Sequence, residues 1–93
     1  MSDTHELISR NEKLIAGIDA LINEAYRWLA EIRKDLIDAL NAENKARAKE
    51  DYPELLCCKD RVAKLCEREY LWQRTIEGHK ERIRQIQESL PNE

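Results

Sequence analysis

Thiols are the most potent nucleophiles in this sequence, and there are three of them: Cys57, Cys58 and Cys66. Thiolates could attack an electrophile, exchange a disulfide or bind zinc. Zinc needs its ligands to converge at Zn–S distances of about 2.3 Å, whereas Cys58 and Cys66 are separated by about 12 Å along a helix. Adjacent Cys57 and Cys58 point about 100° apart on such a helix. The spacing therefore offers no metal set, and Cys58 and Cys66 are expected to pack as small apolar residues. Three cysteines cannot all pair within one chain, and with no cationic, apolar leader at the start they read as free thiols in a reducing cytoplasm.

Two ionisable residues interrupt an otherwise apolar row in the second half, Glu69 and His79. A buried carboxylate needs a partner, and Arg33 or Lys34 is expected to reach Glu69 and fix the register. A catalytic carboxylate would need a second acid or base nearby, and no spacing supplies one. His79 reads as a specificity position in an interface. Catalytic, cofactor and metal sites are accordingly all expected to be absent, and the protein is not expected to be an enzyme.

The most basic stretch is Arg74, His79, Lys80, Arg82 and Arg84, diluted by Glu77, Glu81 and Glu88. It lacks a glycine loop or an aromatic platform on which bases could stack. Phosphate contacts through residues 74–84 form the alternative functional reading. The 16 basic and 19 acidic residues are interleaved along the chain, with a net charge of −3, so neither half is a polyanion-binding surface.

These residues are positioned by a chain built for helix. Charged residues make up 38% and apolar ones 42%, with two glycines and two prolines in 93 residues, a composition rich in helix formers and too apolar for disorder. Leu7-Ile8, Leu14-Ile15, Leu21-Ile22 and Trp28-Leu29 recur every seven residues, and Leu36-Ile37 follows after eight. The average matches the roughly 3.6 residues per turn of a straight helix and predicts one broad apolar face, with Ile18, Ala25, Ile32 and Leu40 on it. Asp3 and Glu6 form a capping box at its start. Gly17, which costs up to about 1 kcal/mol relative to alanine inside a helix, reads as a point of close packing against a partner. Beyond Leu40 the chain is polar, with nothing large to bury.

Asp51-Tyr52-Pro53-Glu54 marks the one break, with proline in the first turn of a new helix and a second Asp-x-x-Glu box. After it, Leu55, Cys58, Val62, Leu65, Glu69, Trp72, Ile76, His79, Ile83, Ile86 and Leu90 alternate steps of three and four. That is a coiled-coil heptad. Leu56, Cys66, Tyr70 and Leu71 broaden it, and Pro91 stops it.

The expected architecture is all-α: residues 1–93 form a single domain, with helix 1 over about 4–46, a turn over about 47–52 and helix 2 over about 53–90. A short turn forces antiparallel packing, which brings Trp28 level with Trp72. A lone hairpin cannot hide so much apolar surface, so it is expected to homodimerise into a four-helix bundle. Leu14, Leu21, Trp28, Ile32, Val62, Leu65, Trp72, Ile76 and Ile83 are the expected core or dimer seam. Candidate partner contacts are Tyr52, at the turn, with Tyr26, Tyr70, Arg74 and Arg82, because tyrosine and arginine carry binding energy disproportionately. The functional expectation is a small helical protein-interaction module: an adaptor, chaperone or inhibitor, such as a virus or mobile element encodes. It would work by presenting a helix face, with no membrane span and no favoured nucleic-acid partner.

Overall fold

The computed structural model describes residues 2–89, which form two α-helices, α1 (Ser2–Ala48) and α2 (Tyr52–Glu88). They fold back on each other as an antiparallel hairpin measuring 72 × 15 × 15 Å. No strand occurs among the described residues. Leu90 and Pro91, expected to end the second stripe, lie outside them.

The reversal is built by backbone hydrogen bonds. The amide of Asp51 donates to the carbonyl of Ala46, and that of Glu50 to Arg47, the paired pattern that closes a helix around a left-handed residue. That residue is Glu50, with φ of 56°. Asp51 then caps α2, its carboxylate accepting from the Glu54 amide at 3.3 Å, with Pro53 in the first turn. One aspartate thus ends the first helix and starts the second. At the other end, α1 already includes Ser2, so Asp3 is not its cap. It lies in the first turn, where its negative charge favours the helix dipole.

Glu50 is exposed, and a left-handed conformation costs a residue with a Cβ about 1–2 kcal/mol. Glu50→Gly is expected to stabilise the hairpin by about 1 kcal/mol, raising the melting temperature by about 4–8 °C for a domain this small. An unchanged or lowered midpoint in a circular-dichroism melt contradicts the turn geometry.

The core is a single seam. On α2 it follows the expected row, with Cys58, Leu65 and Ile76 buried and Leu55, Val62, Glu69, Trp72, His79, Ile83 and Ile86 half-buried. On α1 the inward row is Ile8, Asn11, Ile15, Ile18, Ile22, Ala25, Leu29, Ile32, Leu36, Ala39, Glu43 and Ala46. Its steps alternate three and four without a break, the period of two helices wound together. One cluster packs Ile18, Ile22, Ala25, Leu29 and Ile76 with Trp72, Ile83 and Ile86. A second packs Ile32, Ala39 and Leu65 with Leu36, Val62 and Trp72.

Two sequence expectations are corrected here. Of the first four apolar doublets on α1 only the second member enters the hairpin seam, and of Leu36-Ile37 only the first; Leu14, Leu21 and Trp28, expected in the core or in a dimer seam, are not part of the hairpin's own core but about half exposed, together with Leu7. A two-helix seam admits one residue per half-heptad, and its neighbour, 100° away, is turned to the side. Leu40 is likewise exposed, as are Leu56, Cys66, Tyr70 and Leu71 on α2. The stretch after Leu40 buries only a small residue, Ala46, which with Ala39 just before that stretch continues the seam. Alanines keep the helices close as they converge on the turn.

Candidate functional site

The heptad gives the hairpin two long edges, one on each side of the seam. Trp28 and Asp35 of α1 line a groove on one edge with Arg68 and Trp72 of α2. On the opposite edge Tyr26 and Arg33 line another with Gln73 and Lys80. Each edge carries an uncovered apolar patch, and the two patches occupy different halves of the molecule.

The first, the leucine edge, is made by Leu7, Leu14, Leu21 and Trp28, one heptad apart on α1 and between 40% and 51% exposed. Each precedes a seam residue, so the row runs parallel to the core beside it. Gly17 lies on its outer flank, three residues after Leu14 and four before Leu21, and a Cβ placed there would touch nothing within 4 Å. No contact within the hairpin requires a glycine at that position. Arg68 and Arg82 of α2 border the row on the other side, Arg68 in the groove beside Trp28. The stripe stops at Asp35, where the same heptad position turns acidic.

The second, the tyrosine edge, lies toward the turn. Ile37 and Leu40 on α1, and Tyr52, Leu56 and Tyr70 on α2, are between 42% and 68% exposed, with Cys66 exposed among them. Ala63 and Cys66 lie on the helical line from Leu56 to Tyr70, which Lys59 interrupts between Leu56 and Ala63. Farther along this edge the Lys80 ammonium sits 5.5 Å from the centre of the Tyr26 ring. The tyrosines had been singled out from residue type; Ile37 and Leu40 had been assigned to the buried stripe, and only the strict heptad moves them to this surface.

The basic residues of 74–84 do not converge. The Arg74 guanidinium lies 5.9 Å from the Tyr70 ring centre and donates to its hydroxyl. Lys80 is drawn to Tyr26, Arg82 points along the leucine edge, and Arg84 is held between Glu81 and Glu88. The Arg84 hydrogen bond keeps the Glu81 carboxyl below its usual range, and the same pairing holds the guanidinium above its own. The cations therefore point along different directions around α2 and form no continuous strip. Arg33 Nε donates to Glu69 Oε2 at 3.2 Å, an inter-helix pair that pins register and contributes less than about 1 kcal/mol at this exposure.

No group of three or more potential metal ligands assembles among the described residues. Cys57 and Cys66 are exposed and Cys58 is buried; the expectation of a packed Cys66 is thus corrected, because its position flanks the seam. Cys58 Sγ donates to Glu54 Oε1 at 3.7 Å. Burial first, and then the Glu54 carboxylate, push the Cys58 thiol above its ordinary range, opposite to what a reactive thiol needs. Stability that depends on a neutral Cys58 is fully present below the ordinary thiol pKa and is lost as pH rises through the raised folded value. Thiol titration near pH 8 is expected to show fast reaction at Cys57 and Cys66 and a slow phase at Cys58, limited by opening of the hairpin. Three equal rates contradict this placement.

Comparison with known proteins finds no matching family model, no similar curated protein and no similar solved structure. No helix among the described residues is long and apolar enough to cross a membrane.

Proposed function

We propose that this hairpin is a cytoplasmic protein–protein interaction module, without catalysis, that works as a homodimer and presents helix faces to a protein partner. The observation that carries the reading is the pair of apolar patches left uncovered on opposite edges. Monomers rarely expose contiguous apolar surface of more than about 300–600 Å², and patches of that size are commonly interaction sites. Here four large apolar side chains on one edge and five on the other stay 40–68% exposed, and no metal-ligand group assembles among the described residues.

The two patches differ in kind. The leucine edge is a regular heptad row with a charged border, the pattern of helix-on-helix association, and it serves self-association. The tyrosine edge is irregular, aromatic and close to the turn, with Tyr52, Tyr70 and Leu56 as anchors, and it serves a different protein. Aromatic side chains give rigid contact area at low entropic cost and dominate binding hot spots. An adaptor or inhibitor needs such a division, with one surface holding the assembly and another facing the target.

The test is site-specific photo-crosslinking in the cell that makes the protein. A photoreactive residue at Leu56 or Tyr70 is expected to yield a discrete adduct heavier than a dimer, and the same group at exposed Gln87, away from both patches, none. Equal labelling at all three positions, or no heterologous adduct at any, overturns the reading.

A further inference from the structure

The leucine edge also dictates how two copies meet. We infer that the homodimer forms by antiparallel packing of α1 on α1 of a second copy, with the helices crossing at Gly17. The row from Leu7 to Trp28 has its midpoint between residues 17 and 18, so a two-fold axis there sets Leu7 against Trp28 and Leu14 against Leu21 of the other copy. Gly17 falls at that axis, on the flank between Leu14 and Leu21, where helices without an intervening side chain approach most closely. Nothing in the hairpin lies within 4 Å of its missing Cβ, as is also true of Gly78, so the single chain requires a glycine at neither position; at Gly17 the crossing of the pair does.

Charge selects the antiparallel direction. On the border of the stripe lie Asp3, Glu6, Arg10, Lys13, Glu24, Arg27 and Glu31. Under this two-fold, Arg10 comes level with Glu24 of the other copy and Glu6 within a helical turn of Arg27, two attractive pairings that outweigh the one like-charge pairing of Asp3 with Glu31. A parallel pair would set Arg10 against Arg10 and Glu24 against Glu24, and like charges in register oppose association. Area agrees with a second copy as occupant. The four exposed side chains offer roughly 400 Å² per chain. Doubled, and with the stems of the bordering residues added, they reach the ~1,000 Å² that a specific interface requires. The α2 border of the stripe carries Arg68 and Arg82, which suit a wet rim and not a buried partner helix, so α1 makes the contact and α2 flanks it.

The axis is off-centre in α1, so the hairpins are staggered. Residues 2 to about 33 of each α1 overlap, and the two turns, with their tyrosine edges, project from opposite ends. Overlapping about 47 Å of helix, two 72 Å hairpins give a particle about 95–100 Å long.

Sedimentation and small-angle X-ray scattering of the full chain test this arrangement, which rests on the self-association proposed above. The wild type is expected at twice its 11.0 kDa mass, with a maximum dimension of about 95–100 Å. Gly17→Leu, whose side chain has free space in the single hairpin, is expected to keep its helical signal and weaken association at least ~100-fold. A wild type that stays at 11.0 kDa ends the self-association reading itself. A dimer only about 75 Å long, or one indifferent to Gly17→Leu, leaves that reading standing and overturns the antiparallel crossing.

Discussion

Converting Leu14 and Leu21 together to glutamate is expected to leave the hairpin folded and to separate it into single chains. Both side chains are about half exposed in the hairpin, so their removal takes little from its own core, and surface changes of this kind usually stay within about ±0.5 kcal/mol each. In a two-fold dimer each substitution acts twice. Four leucines lose about 1–2 kcal/mol of apolar transfer apiece, and four carboxylates are brought face to face. Together these weaken association by well over ~1,000-fold. Light scattering at micromolar concentration reads the mass, and circular dichroism reads the helix. Loss of helix in step with loss of the dimer would show that the hairpin does not stand alone and that its fold and its assembly are one event. A dimer that survives the double change would place the interface elsewhere.

Leu29→Ala is expected to cost about 2–5 kcal/mol of folding stability, the range for emptying a packed leucine site. Leu29 is buried in the cluster with Ile22, Ala25 and Ile76, and Trp72 packs against it. Small domains have only about 5–15 kcal/mol in total, so a large part of the urea-melt midpoint should be lost. Trp28→Ala, one residue earlier, removes a larger side chain that is 51% exposed. Its main effect is expected on association, because the ring faces Leu7 of the second copy in the staggered pair. Concentration-dependent melts separate the two. If Trp28→Ala destabilises the isolated hairpin as much as Leu29→Ala does, the assignment of inward and outward members of the doublet is wrong.

That assignment is also where sequence and structure part company. The α2 row is legible because its steps of three and four run without a break, and beyond Trp72 no apolar neighbour blurs them. On α1 the doublets satisfy two patterns at once. Averaged over the spacing of seven, seven, seven and eight they match a straight helix with one wide face. The structure keeps a strict heptad by letting Leu36 continue the inward row and turning Ile37 outward, and the seam is then carried to the turn by Ala39 and Ala46. Small residues give no hydrophobic signal, so that stretch reads as polar although it is among the tightest in the hairpin. Asn11, a buried amide in the seam, was missed for the same reason: its spacing fits, but its side chain does not announce a core.

The tyrosines could be picked from residue type, and the absence of converging metal or catalytic ligands from spacing. Cys66 could not be placed, because one residue's displacement around a helix separates seam from surface.

From the sequence alone came the all-helical class, the single reversal at Asp51–Pro53, the inward row of α2 and the level pairing of Trp28 with Trp72. All of these depend on local propensity and on periodicity, which are carried by residues close in the chain. Only the packed hairpin decided which leucines are core and which are surface, because a second helix accepts one knob per half-heptad and displaces its neighbour to the edge. The two patches therefore became visible as separate surfaces only when each helix had taken the residues it could bury.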